Sequence, residues 1–294
     1  MTEERIREMA EERRAVAERL RFFDAEIWLG RPEGFPLAEE LAPGAVQDVL
    51  AKRFVTGGLV SHWRGKTVSP QAGNEALSLA LASTSHKPCA ACGSVTGTSG
   101  ASEASGDVPV IDALFAVWTG LPLFPAEAGP VPGGVEPPSC ARAVRIFPKS
   151  HNLPLADWCV GSLCDWLVQR NMPLFVWHTE IDWPALYELA RRFLELRIVV
   201  ETQTQKILYH MRPLFALMRD CPNILVETSN FAGAGFIEYA VREFGAERLV
   251  FGSFVPVNDP LVPIGMLIDA DVSERDKKLI AGDNLRRLID EVRQ

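Results

Sequence analysis

The sequence predicts an α/β protein of the (β/α)8 TIM-barrel class, preceded by one N-terminal helix. Eight short apolar segments recur along the 294 residues, and helical patterns follow most of them. The segments are continuously apolar rather than alternating, which is typical of parallel strands that are covered on both faces. No GxGxxG turn follows the first strand, where an open nucleotide-binding sheet often carries one. Together these observations favour a closed barrel over an open sheet.

The first half of the chain has fewer regular elements than the second. Residues 3–20 have apolar side chains near one face, which predicts an amphipathic helix. After it we predict strands at 22–29, 58–63 and 113–119, with helices at 45–54 and 74–82. Residues 84–106 are mainly Ser, Thr, Gly and Ala, a composition that buries too little apolar area to offset its ordering entropy. We therefore expect a flexible insert within a single barrel domain that spans residues 1–294.

The second half alternates strands and helices regularly after a Pro/Gly-rich stretch at 122–138. The predicted strands are 143–147, 173–178, 197–202, 223–228 and 248–253. The predicted helices are 156–170, 183–196, 208–220, 236–244 and 274–292. In a barrel of this kind the functional residues lie at the C-terminal ends of the strands, so those ends provide the candidates.

Composition argues against several classes of function. A net charge of −8 and a pI near 5.3 argue against nucleic acid or an anionic membrane as the main partner. No apolar stretch approaches the roughly 20 residues that span a bilayer, and the N-terminus has no apolar signal core. The six cysteines are scattered, which fits a reducing compartment. We expect a soluble, cytoplasmic protein whose partner is a small-molecule substrate or ligand, with a homo-oligomer left open.

One cysteine pair has a distinct pattern. His86, Cys89 and Cys92 have the spacing of half a zinc site, and no second CxxC or HxxxH follows them. A structural zinc would need a distant ligand such as Cys140. The alternative, which we favour, is a flexible loop that carries two thiols.

Polar and acidic side chains gather at the predicted strand ends. Carboxylates and imidazoles can transfer protons, which makes them the candidate catalytic groups. The candidate catalytic residues are Glu26, His178, Glu201 and Glu227. The candidate substrate-binding residues are Trp28, Lys149, His151, Asn230 and Ser253. Strand alternation puts Glu26 and Trp28 on one face and allows only one of Glu201 and Thr202 to point inward.

Four segments resemble the amidohydrolase-related (amidohydrolase family 2) metal-dependent hydrolases. Residues 23–30, which read FDAEIWLG, are similar to the first strand of that family, usually D-x-H-x-H-x-G. Residues 173–178 resemble its fifth strand, which ends in a ligand histidine. Residues 248–256 resemble its eighth-strand signature F-G-S-D-x-P, and residues 280–288 resemble its closing helix, G-x-N-A-x-R-L. The resemblance implies a TIM barrel that acts on a small carboxylated, amide or lactone substrate as a hydrolase or decarboxylase.

The sequence departs from the family at the metal ligands. The resemblance implies two histidines on strand one, one each on strands five and six, and an aspartate on strand eight. The residues at these positions are Glu26, Trp28, His178, Thr202 and Phe254. Four of the five differ, and neither Trp nor Phe can ligate zinc. We therefore predict a degenerate metal site in which only His178 is retained.

Three hypotheses follow. A hydrolase or lyase could use a rebuilt zinc or manganese site made of Glu26, His178 and one of Glu201 or Glu227. The same groups could instead perform acid–base chemistry with no cofactor. Alternatively, the barrel has lost catalysis and serves as a binding or assembly module. Trp28 and Phe254 would then fill the former metal cavity, and Glu26 would pair with a cation such as Lys149.

Overall fold

Eight parallel strands form a nearly closed barrel, which confirms the predicted fold class. The computed structural model describes residues 2–35, 38–83, 113–120, 140–203 and 207–293. Neighbouring strands pair in chain order from β1 to β8. The strands are β1 (Phe22–Leu29), β2 (Val55–His62), β3 (Ala113–Thr119), β4 (Ala141–Ile146), β5 (Leu174–Trp177), β6 (Ile198–Glu201), β7 (Ile224–Glu227) and β8 (Leu249–Val250). The predicted insert at 84–106 and the stretch at 122–138 lie outside the described residues.

Helices cover the outer face of the sheet. They are α1 (Glu3–Leu20), α2 (Pro43–Ala51), α3 (Arg64–Thr67), α4 (Pro70–Ser83), α5 (Asp157–Gln169), α6 (Trp183–Arg192), α7 (Ile207–Asp220), α8 (Phe236–Phe244), α9 (Leu261–Asp269), α10 (Glu274–Lys278) and α11 (Asn284–Asp290). Most helices lie within a few residues of the predicted ranges, and α1 and α8 match them. None of the helices in the described part of the chain is both long and apolar enough to cross a bilayer.

Two helices were not predicted, and one predicted helix is divided. Helix α3 is a single turn, too short to show a hydrophobic period. Helix α9 reads LVPIGMLID and is almost continuously apolar, so it has no polar face from which a period could be read. The predicted helix 274–292 consists of α10, a π-helical turn at Leu279–Asp283, and α11.

The barrel closes between β1 and the segment that follows β8. The predicted strand 248–253 is regular only at Leu249–Val250, because the later residues bond to β1 individually. The amide of Ala25 donates to the Phe251 carbonyl and the amide of Trp28 donates to the Val255 carbonyl, both at 2.9 Å. This irregular seam places Phe254 at the C-terminal mouth of the barrel.

A bulge in β1 decides which of its side chains face the barrel interior. The pairing of β1 with β2 shifts between Asp24 and Ile27. Phe23, before the shift, and Ala25, within it, belong to the apolar cluster that fills the lower barrel. After it, Ile27 packs in the outer core, which leaves the inner face to Glu26 and Trp28.

A buried asparagine, Asn284, stabilises the lower end of the barrel. Asn284 of α11 donates from Nδ2 to the carbonyls of Ala246 and Leu249, both at 2.8 Å. Because Leu249 is the first residue of β8 and Ala246 begins the turn that precedes it, Asn284 fixes the closing helix against β8.

Candidate functional site

A layer of buried polar side chains crosses the middle of the barrel. Its charged members, at most 1% exposed, are Glu26 on β1, Arg145 on β4, Glu201 on β6 and Glu227 on β7. Strand alternation explains their direction, since the inward neighbours of Arg145 along its strand are Ala143 and Phe147. The structure thus brings together three of the four predicted catalytic residues, Glu26, Glu201 and Glu227.

Arg145 is the cation at the centre of this polar layer. Its Nε donates to one carboxylate oxygen of Glu201 at 2.9 Å, and a terminal nitrogen donates to the other. The guanidinium also donates to the hydroxyl of Ser61 and to the carbonyl of Ala25. Its central carbon lies 4.7 Å from the ring centroid of Trp28. Arg145 therefore forms a bidentate ion pair and a cation–π contact in a site closed to solvent.

Glu26 and Glu227 are linked through Ser229. The hydroxyl of Ser229 lies 2.9 Å from Oε2 of Glu227 and 3.4 Å from Oε2 of Glu26. Oε2 of Glu227 also accepts from the amide of Thr202 at 3.1 Å. On the other side, Oε1 of Glu26 accepts from the indole N–H of Trp28 at 3.4 Å.

Burial sets the protonation of these carboxyls. Burial raises the pKa of Glu26 well above its usual value, and the Glu201 and Glu227 carboxylates add to the effect against the opposing charge of Arg145. Burial and then the Glu201 charge raise the pKa of Glu227 to about 8. Burial also raises the pKa of Glu201, which Arg145 opposes. At neutral pH the carboxyl of Glu227 is therefore mostly protonated, while the carboxylate of Glu201 pairs with the guanidinium of Arg145.

Asp24 lies beside this layer and has a structural role. Its Oδ1 accepts from the amides of Glu26 and Ser253, both at 2.9 Å, and its Oδ2 accepts from the Ser253 hydroxyl. Burial raises the pKa of Asp24 to about 6 against the lowering effect of these hydrogen bonds. These bonds join β1 to the segment after β8 at the barrel seam.

An aromatic plug closes the mouth side of the polar layer. It consists of Trp28, Trp63, Phe147, Trp177 and Phe254, which are 0–5% exposed. The rings of Trp28 and Trp63 are 4.8 Å apart, and those of Trp177 and Phe254 are 5.6 Å apart. Trp28 and Phe147 each lie two residues beyond a member of the polar layer on the same strand, toward the C-terminal end. The plug therefore separates the buried carboxyls from the mouth of the barrel.

The residues at the family's metal-ligand positions do not fit a metal. The Thr202 hydroxyl donates to the carbonyl of Glu227 at 2.9 Å, and Trp28 and Phe254 belong to the plug. Within the described ranges, no group of three His, Cys, Asp or Glu side chains is placed to hold a metal ion. Because the centre of the polar layer is taken by a guanidinium, the donors there already have a cation.

His178 lies at the end of β5, beside β6 and α7. Its Nδ1 lies 3.1 Å from the carbonyl of Glu201, and its ring meets His210 of α7 edge to face at 5.3 Å. The neighbouring Trp177 takes the inward position in the plug, so alternation directs His178 to the outer side of the strand. The inward position at this strand end is held by Trp177, and the grouping of His178 with Glu26 stays a prediction.

The predicted substrate-binding residues are dispersed. Trp28 lies in the plug and Ser253 in the seam. His151 contacts the carbonyl of Lys66 through Nε2 at 3.2 Å, and the amide of Asn230 donates to the Thr202 hydroxyl at 3.2 Å. Lys149 is exposed and donates from Nζ to the carbonyl of Thr179 at 2.7 Å. The predicted pairing of Glu26 with Lys149 is wrong, because Arg145 supplies the cation that acts on Glu26.

Arg145 is the main site residue that sequence reasoning missed. The strand ARAVRI carries it between apolar neighbours, two residues after the inward Ala143. An arginine in a strand that is otherwise buried is itself a signal, because a charge there requires a buried partner.

Comparison with known proteins identifies relatives of the fold. The amidohydrolase family model matches residues 139–290. No curated protein matches the sequence. Similar solved structures include 5-carboxyvanillate decarboxylase from Sphingomonas paucimobilis, with a TM-score of 0.61, 11% identity and coverage of 92% of this chain and 99% of that one. An amidohydrolase from Burkholderia multivorans with bound zinc has a TM-score of 0.58, 13% identity and coverage of 92% and 99%. 2,6-Dihydroxybenzoate decarboxylase from Rhizobium has a TM-score of 0.55, 12% identity and coverage of 92% and 98%.

Proposed function

The chain belongs to the amidohydrolase family, and we propose that it uses the barrel of that family as a small-molecule binding module, without metal-dependent hydrolysis. Hydrolase or decarboxylase chemistry is the activity that the family and the similar structures suggest. The observation that carries our proposal is the aromatic plug, because it covers the place where that chemistry would occur.

Access is the first argument. A catalytic acid or base must come within hydrogen-bond reach of the proton it transfers. The side chains of Glu26, Glu201 and Glu227 are fully buried, and the plug above them is at most 5% exposed. A substrate at the mouth of the barrel would touch Trp63 and Trp177 rather than these carboxyls.

Charge is the second argument. A divalent ion about 4 Å from the Arg145 guanidinium would be repelled by roughly 8 kcal/mol at an effective dielectric constant of about 20. Glu227, whose pKa is raised to about 8, would also have to lose its proton before it could act as a ligand, and the raised pKa of Glu26 opposes ionisation of that carboxyl as well. Both costs oppose a rebuilt zinc or manganese site in the barrel.

Metal analysis of the full chain tests the proposal. We expect the wild-type protein, equilibrated with zinc or manganese and then desalted, to keep much less than one equivalent in the barrel. The matched control is the Cys89→Ser/Cys92→Ser variant, because the CxxC pair could bind zinc independently of the barrel. About one equivalent of metal that persists in this control and disappears on Glu26→Gln would overturn the proposal.

A second candidate is a hydrolase or decarboxylase that works by acid–base catalysis without a metal. The raised pKa values of Asp24, Glu26 and Glu227 favour it, because such values are common at catalytic sites. Glu26→Gln is the test, since the amide can keep both hydrogen bonds of Glu26 while losing its titration. Turnover of amides, lactones or aromatic acids by the wild type that falls at least 100-fold in this variant would favour the second candidate.

A further inference from the structure

Most of helix α1 lies in solvent. Residues 2–15 are all exposed, and the end of the helix packs on the barrel through Val16, Ala17 and Leu20. The hydrogen bonds and ion pairs described for the first half of α1, residues 3–12, are local: Thr2 caps the helix and Arg5 pairs with Glu8. A helix of about ten residues is marginally stable in water without tertiary packing, so a partner that covers this half would stabilise it.

An apolar seam continues along the exposed half of α1. The face that packs on the barrel follows a heptad pattern, whose a and d positions hold Ile6, Met9, Arg13, Val16 and Leu20. Arg13 pairs with Asp269 of α9 and marks the point where contact with the rest of the chain begins. Before that point, Ile6 is 50% exposed and Met9 is 37% exposed. Ala10 lies one turn after Ile6 on the same face, and we call Ile6, Met9 and Ala10 the free seam.

The charges beside the free seam are complementary to those of a second, antiparallel copy. Arg5 and Glu12 occupy the g positions of the heptads, which flank the seam and set partner choice in coiled coils. In an antiparallel pair that packs Ile6 on the partner's Met9, Arg5 lies beside the partner's Glu12. The two-fold axis repeats this contact, so Glu12 lies beside the partner's Arg5. A parallel pair would instead place both g residues beside alanines at e positions, and neither ion pair would form.

The polar face of α1 argues against a membrane surface as the partner. Helices that lie on anionic membranes are rich in Lys and Arg on their polar face. Helix α1 has six glutamates and five arginines. Two of these arginines, Arg13 and Arg19, already pair with Asp269 and Glu274 at 2.5 and 2.6 Å. This balance of charge suits a helix of the same composition better than an anionic surface.

We infer that the free seam joins two copies of this chain through an antiparallel pair of α1 helices. The dimer has two-fold symmetry: Ile6 of each copy packs on the partner's Met9, and Arg5 pairs with the partner's Glu12 at each end. Few apolar side chains take part, and they cover much less than the roughly 1,200–2,000 Å² that stable complexes bury. The dimer is therefore weak and reversible, and it does not depend on what the barrel binds.

Sedimentation equilibrium of the full-length protein tests the inference. From about 10 μM to about 1 mM, we expect the average mass to rise from 32.4 kDa toward twice that value. The Ile6→Glu/Met9→Glu variant should stay monomeric throughout, because it places charge in the seam. Leu79→Glu is the matched control: it changes a leucine on α4 that is 73% exposed, and it should leave the association unchanged. A wild type that stays monomeric at the highest concentration, or a seam variant that associates like the wild type, would overturn the inference.

Charge reversal tests the antiparallel register. Arg5→Glu alone and Glu12→Arg alone each bring like charges together at both ends of the pair, so each should raise the dissociation constant about threefold or more. The double variant Arg5→Glu/Glu12→Arg exchanges the two charges and should restore the constant to within about twofold of wild type. Arg5 and Glu12 lie about two turns apart on one helix, roughly 10 Å, so the recovery has to come from the partner. No recovery in the double variant would refute the antiparallel pair.

Discussion

Replacing Arg145 by methionine should destabilise the protein strongly, because Arg145 is the only cation of the polar layer among the residues that the structure describes. Methionine keeps much of the aliphatic length but removes both bonds to Glu201, the bond to Ser61 and the contact with Trp28. Breaking one side of a buried ion pair costs about 3–5 kcal/mol, and the lost cation–π contact adds about 1 kcal/mol. We therefore expect the free energy of unfolding to fall by about 4–6 kcal/mol at pH 8.

The cost of Arg145→Met should depend on pH in a defined direction. Without Arg145, nothing opposes the effect of burial on Glu201, so the pKa of this carboxyl in the folded state rises further. A carboxyl with a raised folded pKa favours folding below its unfolded pKa, and that contribution is lost as pH rises toward the folded value. The variant should therefore be closer to wild type at pH 5 than at pH 8.

Urea denaturation at pH 5 and pH 8 measures both effects, and the matched control is the double variant Arg145→Met/Glu201→Gln. This variant removes the stranded carboxylate, so it should recover at least about 2 kcal/mol of the loss at pH 8. The reasoning is refuted if Arg145→Met costs less than about 1 kcal/mol at pH 8. Equal costs at the two pH values, or no recovery in the double variant, would refute it as well.

Two further predictions concern the wild-type core and the lower end of the barrel. Stability should fall as pH rises from about 5 to 8, because the folded pKa of Glu227 is about 8 and that of Asp24 about 6, against ordinary values of 4.5 and 3.8. Glu227 alone can remove about 3.5 kcal/mol over that range, so a stability that is flat or rising in urea titrations at fixed ionic strength contradicts this expectation. Asn284→Ala should cost about 2–3 kcal/mol, because the carbonyls of Ala246 and Leu249 lose their donor. Asn258→Ala, at a half-buried position, is the control that should cost less than about 1 kcal/mol, and a loss in Asn284→Ala no larger than in that control would contradict the prediction.

The barrel could be predicted from sequence because its signal is local and repeated. Each strand is a short apolar run, and a segment with helical periodicity follows most of them. An error in the bounds of one element therefore does not change the number of strands that the sequence predicts. The predicted ends of the strands and helices were less accurate where tertiary contacts decide them. The last strand is regular only at Leu249–Val250 because the seam with β1 imposes single bonds at Ala25 and Trp28.

The candidate site was predicted in part. Strand register explains which of the predicted side chains point into the barrel and which do not. Glu26, Glu201 and Glu227 lie at strand ends in an apolar context, which marked them as unusual. Whether a side chain points into the barrel depends on a single residue of register, and that choice put Trp177 inside and His178 outside. The pairing of Arg145 with Glu201 joins residues on β4 and β6, and no local pattern specifies such a contact.

The residues at the former ligand positions depend on one another. Trp28 packs on the guanidinium of Arg145 and donates to Glu26, whose pKa is raised by burial and by the neighbouring Glu201 and Glu227 carboxylates. Phe254 has a φ of 60°, a left-handed conformation that aspartate adopts more readily than a bulky side chain, so its packing in the plug must offset backbone strain. Restoring one histidine at Glu26 would leave Arg145 in the centre and the plug in place. Under the proposed function, a metal site would therefore need several substitutions made together, and a single reversion would not build one.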